Sequence, residues 1–549
     1  MTFQTKSQEA RNTTPARHSW DWQRLGFWTL ILLGGALRFY ALGRYPAGLN
    51  SDEASTGVEA LSILRTGMDR WGNHLPVWFP AWGSGMNALY SYIAVPVIAG
   101  FGLGVVSLRA IGAFFGVLTL PVAYQTARFY FGRDTALLTL ALVALLPWHV
   151  MASRWALDSN LAPFFFTLGI WAIGKAVRDG GKYWPLLAFL PWAIGTYSYP
   201  ATLPPAVIST AGILVIFRHR ITRSIRAWAA GIVVGFLILL PFLLFLARNQ
   251  FHLPPYPFES DLPFSIPTLL SSRLAQLHHS VPETIFNNLV FIWGGYRDGA
   301  PWHQSVWFAP LTGVAPYLTP IAVLALAMDR WRERKPHVAL PNAVLIILAS
   351  AIVIVTLLPL NLTRFNWFYI PSIMVVSDMI VRLASSKGPL PTGLRLSFAW
   401  GSAAYLGVFL ALFIPYYFTR YNDELVSLDR DLLNGFRVGI DDALRAEIAL
   451  AKPDEPVLVE IGTVHPYLYV LFYGLADIET FQATRKFRIE NGVYQVTRFG
   501  RFYFEPDALP PGRSFVFVGR ANALPCEKPE TLTTGPLWAV GRCDPNSRQ

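Results

Sequence analysis

MNALYSYIAVPVIAGFGLGV, residues 86–105, is the stretch whose reading decides the topology of this chain. It is apolar enough to cross a bilayer, for which one helix needs roughly 17–25 residues. Counting it as a span, however, inverts every loop that follows. Six sets of basic residues weigh against that. They are Lys6, Arg11, Arg17 and Arg24; Arg128 and Arg133; Lys175, Arg178 and Lys182; Arg218, Arg220, Arg223 and Arg226; Arg330, Arg332, Arg334 and Lys335; and Arg382, Lys387 and Arg395. With 86–105 outside the span count, all six fall on one side, and an excess of Lys and Arg marks the cytoplasmic side. Residues 86–105 are therefore expected to lie in the interface or to re-enter it packed on protein. Pro96 with Gly100, Gly102 and Gly104 suits such a broken element.

Around that segment stand eleven apolar runs: 26–42, 108–127, 136–150, 161–173, 184–197, 203–217, 228–246, 310–328, 338–359, 368–381 and 396–418. Composition agrees with a polytopic membrane protein. Of 549 residues, 53% are hydrophobic and 14% charged, where soluble domains carry about 25% charged. The 19 Trp, 22 Tyr and 38 Phe suit rings anchored at the membrane interfaces. The net charge of +11 resides in short loops between apolar runs, so it orients the protein and excludes a nucleic-acid partner. The first run lacks a small-residue cleavage site and is expected to remain as a helix.

The expected organisation is a cytoplasmic arm over 1–25, a transmembrane core over 26–418, and an extracytoplasmic α/β domain over 419–549. Within the core, 44–109 forms a first outer loop and 247–309 a large one. The tail places strand-like patches at 455–462 and 514–519, and a helical stretch at 441–452. Its two cysteines, Cys526 and Cys543, either pair in an oxidising compartment or remain thiols. No internal repeat is visible, so an inverted-repeat transporter gains no support.

Candidate chemistry falls in the outer segments. The first loop begins Gly43-Arg44-Tyr45-Pro46-Ala47-Gly48-Leu49-Asn50-Ser51-Asp52-Glu53-Ala54. By residue type alone, Asp52 is a helix N-terminal acid favoured by the macrodipole; at a membrane surface it can also serve as a general base. Ser153-Arg154-Trp155-Ala156-Leu157-Asp158 lies on the same side. There Arg154 anchors a helix end or contacts substrate, and Asp158 caps the next helix or does the same. Asn361-Leu362-Thr363-Arg364-Phe365-Asn366 ends another helix outside. The planar fork of Arg364 suits a phosphate, and an interfacial anchor is the alternative. The large loop adds His278, His279, Glu283, Arg297, Asp298 and His303 among Trp293, Trp302 and Trp307. His278-His279 has no metal-binding spacing.

Leu37-Arg38 through Asp52-Glu53-Ala54 resembles the start of the polyprenyl-phosphate-sugar glycosyltransferases. These GT-C enzymes are related to protein O-mannosyltransferases and lipid A aminoarabinose transferase. Leu108-Arg109-Ala110 to Phe131-Gly132-Arg133, Leu145-Leu146-Pro147 followed by Ser153-Arg154 and Asp158, the Thr196-Tyr197-Ser198-Tyr199-Pro200 turn, and Arg364 extend the likeness. The resemblance covers roughly 26–417. It implies a GT-C fold of about eleven transmembrane helices, with interfacial helices in the first outer loop. It implies a polyprenyl-phosphate-linked sugar donor, a protein, lipid or glycan acceptor, and inversion at the anomeric carbon. It puts Asp52, with Glu53 beside it, at the catalytic position, and Arg154, Asp158, Tyr199 and Arg364 around the substrates. It assigns no cofactor and leaves a divalent cation open. The C-terminal domain lies outside the shared core.

Two other classes compete. A transporter or flippase for lipid-linked sugars would place ionisable groups near mid-membrane, whereas the acids here gather in outer loops. A non-catalytic scaffold on the same fold would keep its activity-free function with Asp52 replaced.

Overall fold

The computed structural model describes all residues except 1–21, 272–279, 301–302, 333–339, 387, 431–434, 463–464, 527–528, 530 and 545–549. Lys6, Arg11, Arg17, His278, His279, Trp302, Arg334, Lys335 and Lys387 lie outside the described residues.

Each of the eleven apolar runs contains a helix. The first is α1 (Trp22–Phe39), followed by α2 (Ser51–Thr66), a two-stranded ladder of β1 (Trp78–Phe79) and β2 (Met86–Asn87), and α3 (Leu89–Phe101). Next come α4 (Val105–Phe131), α5 (Arg133–Leu145), α6 (Pro147–Ala152), α7 (Ala162–Asp179), α8 (Tyr183–Leu187), α9 (Leu190–Ser198) and α10 (Leu203–Ile216). After α11 (Arg218–Ile221) follow α12 (Ile225–Phe251), α13 (Val281–Trp293), α14 (Ala315–Arg332), α15 (Asn342–Leu357), α16 (Asn366–Ala384) and α17 (Thr392–Thr419). Among the described residues, 105–131, 158–179, 218–251, 366–384 and 392–419 are long and apolar enough to cross a membrane. The run at 184–197 is divided between α8 and α9, with Pro191 opening the second piece.

The segment 86–105 contains a 13-residue helix, α3. At 1.5 Å per residue it reaches about 20 Å, short of the ~30 Å hydrocarbon core. It packs against α2 and α4.

The central packing couples α4 to α1, α5 and α7, and α16 to α5, α7 and α14. Its core mixes Leu, Ile and Ala with large rings such as Trp148, Trp228 and Trp367. Helices α10 and α12 leave many apolar side chains exposed, among them Val215, Ile232, Val233, Phe236 and Leu237.

Beyond α17, α18 (Tyr421–Arg430) leads to a small α/β unit: α19 (Ile440–Leu450), β3 (Val457–Glu460), α20 (Tyr467–Phe472), α21 (Ile478–Thr484), β4 (Lys486–Glu490), β5 (Val493–Phe499), β6 (Phe502–Tyr503), β7 (Phe515–Arg520), β8 (Thr531–Thr534) and β9 (Trp538–Cys543). The strand order is β4-β5-β6-β3-β7-β9-β8. Val457, Leu458 and Val459 are all buried, the continuous apolar run of a strand covered on both faces. β3 runs parallel to β6 and β7. The strand and helix patches expected at 455–462, 514–519 and 441–452 are thus present. Cys526 and Cys543 are joined in a disulfide.

One apolar cluster runs through Val58 of α2, Ile98 of α3, Leu108 of α4 and Leu468 of α20. The first outer loop is therefore sandwiched between the helical core and the C-terminal unit.

Candidate active site

Helix α2 begins at a capping box. Asn50 accepts from the Asp52 backbone N–H at 2.8 Å, and the Asn50 N–H donates to the Glu53 carboxylate at 3.1 Å. This reciprocal pair satisfies two donors that a helix start otherwise leaves unmet. Just before it, Gly48 adopts φ +77 with the Phe436 carbonyl against its α-carbon, so a Cβ there would clash.

The two adjacent acids meet different surroundings. Glu53 is fully buried and forked by Arg109, Nε to Oε1 at 2.8 Å and Nη2 to Oε2 at 2.7 Å. It also accepts from the Ala156 N–H at 2.9 Å. With the Asn50 N–H, four donors use its oxygens. Arg109 spends its remaining hydrogens on the carbonyls of Pro46 (2.7 Å) and Gly48 (2.9 Å). Asp52 is only half-buried.

Arg154 is buried and donates to the carbonyls of Leu37 (2.7 Å), Arg38 (3.1 Å) and Tyr45 (2.8 Å). These include terminal carbonyls of α1, which have no intrahelical partner. Its guanidinium also lies 5.0 Å from the centre of the Phe418 ring. Its hydrogen bonds thus tie helix ends together.

Asp158 opens a short 3₁₀ turn and is buried. Its Oδ2 accepts from the Asn87 side chain and, at 3.3 Å, from the Asn87 N–H. Its Oδ1 accepts from the Ser159 N–H at 2.6 Å. The Ser198 hydroxyl donates to the Asp158 carbonyl at 2.6 Å, which brings the following residue, Tyr199, close. The Tyr199 hydroxyl meets that of Thr363 at 3.4 Å. Arg364 follows, half-buried, its Nη1 donating to the Pro359 carbonyl at 2.9 Å. Asn366 donates to the Ser159 carbonyl at 3.3 Å, closing the ring of contacts.

The six residues singled out in the sequence therefore share one end of the helical bundle. Glu53 reaches the 153–158 loop, Asp158 reaches Ser198, and Tyr199 reaches the 361–366 loop. The ion pairs of Lys175 and Arg178 with Asp179, and of Arg382 with Asp329, sit at the other ends of α7 and α16.

Two features were not singled out as site residues. Asn87 holds Asp158, yet nothing around it in the sequence marks it. Asp298 and His303 appeared only among the polar residues of the large loop. They pair at 2.6 Å, and the Leu362 N–H donates to Asp298 at 2.9 Å. Burial opposes ionisation of Asp298, but the His303 hydrogen bond and charge hold its carboxyl below the ordinary range. The His303 ring lies tilted, 5.6 Å from that of Trp155, so this pair borders the same loop. Among the described residues, no group of three His, Cys, Asp or Glu side chains gathers as a metal site.

An apolar cavity of about 340 Å³ lies among α5, α14, α16 and α17, lined by Leu146, Leu311, Ala315, Ser372, Val376 and Tyr405 among others.

A structure of ArnT from Cupriavidus metallidurans bound to undecaprenyl phosphate superposes with a TM-score of 0.55 at 15% identity, over 95% of this chain and 98% of that one. The fold is GT-C. The apo form of the same ArnT superposes with a TM-score of 0.51 at 15% identity, over 95% and 97% of the two chains. By sequence, residues 87–245 match the dolichyl-phosphate-mannose-protein mannosyltransferase family. No curated protein matches the sequence of the chain. The GT-C fold expected from the resemblance is the one found, with the small C-terminal sheet unit appended to it.

Proposed function

We propose that this protein transfers a sugar from a polyprenyl-phosphate carrier to an acceptor hydroxyl on the outer face of the membrane, with Asp52 as general base. The observation that carries the reading is the run of contacts from Glu53 to Ala156, Asp158 to Ser198 and Tyr199 to Thr363, which brings a half-buried carboxylate, Asp52, and a half-buried guanidinium, Arg364, to one end of the bundle. A prenyl chain is apolar and stays in the bilayer, so its phosphate and sugar sit at the surface. The cavity takes the chain; the polar end takes the head.

In the reaction, Asp52 accepts the proton of the acceptor hydroxyl as its oxygen attacks the anomeric carbon. The bond from that carbon to the phosphate oxygen breaks, and polyprenyl phosphate leaves with the electron pair. Attack opposite the leaving group inverts the anomeric centre. Arg364 stabilises the charge growing on the phosphate, which is commonly the larger catalytic contribution. Asp158 and Tyr199 line the approach between them. Glu53, locked by Arg109, fixes the first turn of α2 and so aims Asp52. Arg154 holds α1 and the 153–158 loop in register beneath the site.

The outer placement rests on the basic loop sets at the opposite end and on the Cys526–Cys543 disulfide, a bond that persists in oxidising compartments. The proposed boundaries stay those of an arm over 1–25, a membrane core over 26–418 and an outer domain over 419–549. The test is to incubate purified protein in detergent with a panel of radiolabelled polyprenyl-phosphate sugars and a membrane extract as acceptor source. Consumption of one carrier with release of polyprenyl phosphate is expected. A panel left intact, including in the presence of divalent cations, would contradict the proposal.

A further inference from the structure

The central strand β3 ends at Glu460, between two strands that run parallel to it. A cavity of about 540 Å³ opens there, lined by Arg437, Glu460, Gly462, Gln495, Phe504 and Glu505 among others. Ligands of open α/β sheets lie at the carboxyl ends of parallel strands, and small-molecule sites span roughly 300–1,000 Å³.

The lining carries both signs, Arg437 against Glu460 and Glu505. Arg437, almost fully buried, donates to the Gly462 carbonyl at 3.1 Å and faces the same cavity as the solvent-facing Glu460. Glu505 is paired with Arg488 at 3.0 Å, and Arg488 also donates to Gln495 at 3.4 Å. The wall thus offers donors from Arg437 and Gln495 beside acceptors from Glu460, Gln495 and Glu505. A hydroxyl, with one hydrogen to give and two lone pairs, matches such a wall. A lipid tail would leave these polar groups unmet, and a polyanion would face Glu460 and Glu505.

The cavity also borders the junction with the segment that leads to Asp52. Phe436, next to Arg437, accepts from the Leu49 N–H at 2.5 Å, and the Tyr469 hydroxyl donates to the Leu49 carbonyl at 3.2 Å. Asp52 follows Leu49 by three residues.

We propose that this cavity is an acceptor site for a neutral, polyhydroxylated molecule, a glycan, whose far end rests in the C-terminal domain while a hydroxyl reaches Asp52. The inference rests on the glycosyl-transfer reading above. It is tested with full-length protein in detergent on an array of neutral, acidic and amino-bearing oligosaccharides. Neutral glycans should be retained by the wild type and equally by Asp52→Asn. The double variant Glu460→Gln with Gln495→Ala should bind at least tenfold more weakly. Gln495→Trp, which fills the cavity from its rim, should abolish retention at an unchanged thermal midpoint. Donor hydrolysis to water should be the same in all the cavity variants. Retention of no neutral glycan by the wild type, preference for acidic ones, or equal binding by both cavity variants overturns the inference. If the wild type consumes a lipid-linked donor yet retains no neutral glycan, this acceptor assignment falls and the transferase reading stands. If it retains glycans but consumes no carrier, the transferase reading falls alone.

Discussion

Asp52 and Glu53 are neighbours in sequence with opposite surroundings. Glu53 is the buried half of an ion pair with Arg109, both side chains fully enclosed. Removing one partner of such a pair leaves an uncompensated charge and costs about 3–5 kcal/mol. Glu53→Gln should therefore lower the thermal midpoint markedly, and any loss of turnover should follow the loss of folded protein. Differential scanning fluorimetry beside an activity assay checks this: a variant with a wild-type midpoint but no turnover would make Glu53 a chemical group. Arg364 behaves differently because it is half-buried and, among the described residues, its side chain makes one hydrogen bond, to the Pro359 carbonyl. Arg364→Lys keeps the charge and loses the planar fork, so it should weaken donor use about tenfold, and Arg364→Ala more. Donor affinity unaltered in both variants, read by equilibrium binding of a labelled carrier, would defeat the phosphate role. The sequence marked both acids and both arginines, but it could not divide their work. The carbonyls that Arg154 grips lie more than 100 residues away in the chain, and so does the carboxylate's partner N–H at Ala156. Local patterns carry no trace of such contacts.

Among the elements, the loop between α2 and α3 packs against the entry to α20. His465 is 2% exposed, neither ring nitrogen has a hydrogen-bond partner among the described residues, and its ring packs 4.4 Å from that of Trp82. Burial, with the nearby Arg70 charge, pushes its pKa down to about 3. The unfolded chain takes up the proton near pH 6.5 while the folded one does not, so the stability linked to this group is whole above pH 6.5 and drains as pH falls toward 3. At pH 4.5 the loss amounts to about 3 kcal/mol. His465→Phe keeps the ring packing and removes the two unpartnered nitrogens. Its midpoint should equal or exceed wild type at pH 7 and fall less between pH 6.5 and 4.5. Parallel acid slopes for both proteins would show that the ring titrates freely. The helices themselves were legible because apolar runs of bilayer length leave few alternatives. The short α3 was legible too, through the charges of loops far from it. The junction was not, since it joins residues 67–88 to 462–485 by packing rather than by any repeated pattern.

At the scale of the molecule, a helical core carries an outer loop and a capping α/β unit on the same end. That places Asp52 beside the junction with the α/β unit, and the ion pairs of Asp179 and Asp329 at the other ends of the helices. The native chain has only two cysteines, both in the disulfide, so a single introduced thiol reports cleanly. Arg513→Cys, at an exposed turn of the C-terminal unit, should react with a membrane-impermeant maleimide in intact cells, and Arg220→Cys only after lysis. The reverse pattern would invert the topology. That the chain is a multi-pass helical protein could be read from composition alone. The cavity at the end of β3 could not, because its lining comes from strands and loops that only the folded sheet brings together.

The measurement closest to the central claim is single-turnover transfer from a labelled polyprenyl-phosphate sugar by wild type and Asp52→Asn in matched detergent preparations. Loss of a general base costs on the order of 10²–10⁴ in rate. The account predicts a drop of that size for Asp52→Asn, with donor binding and thermal midpoint kept. Wild-type turnover by Asp52→Asn would contradict it and move the base elsewhere, with Asp158 the first residue to examine.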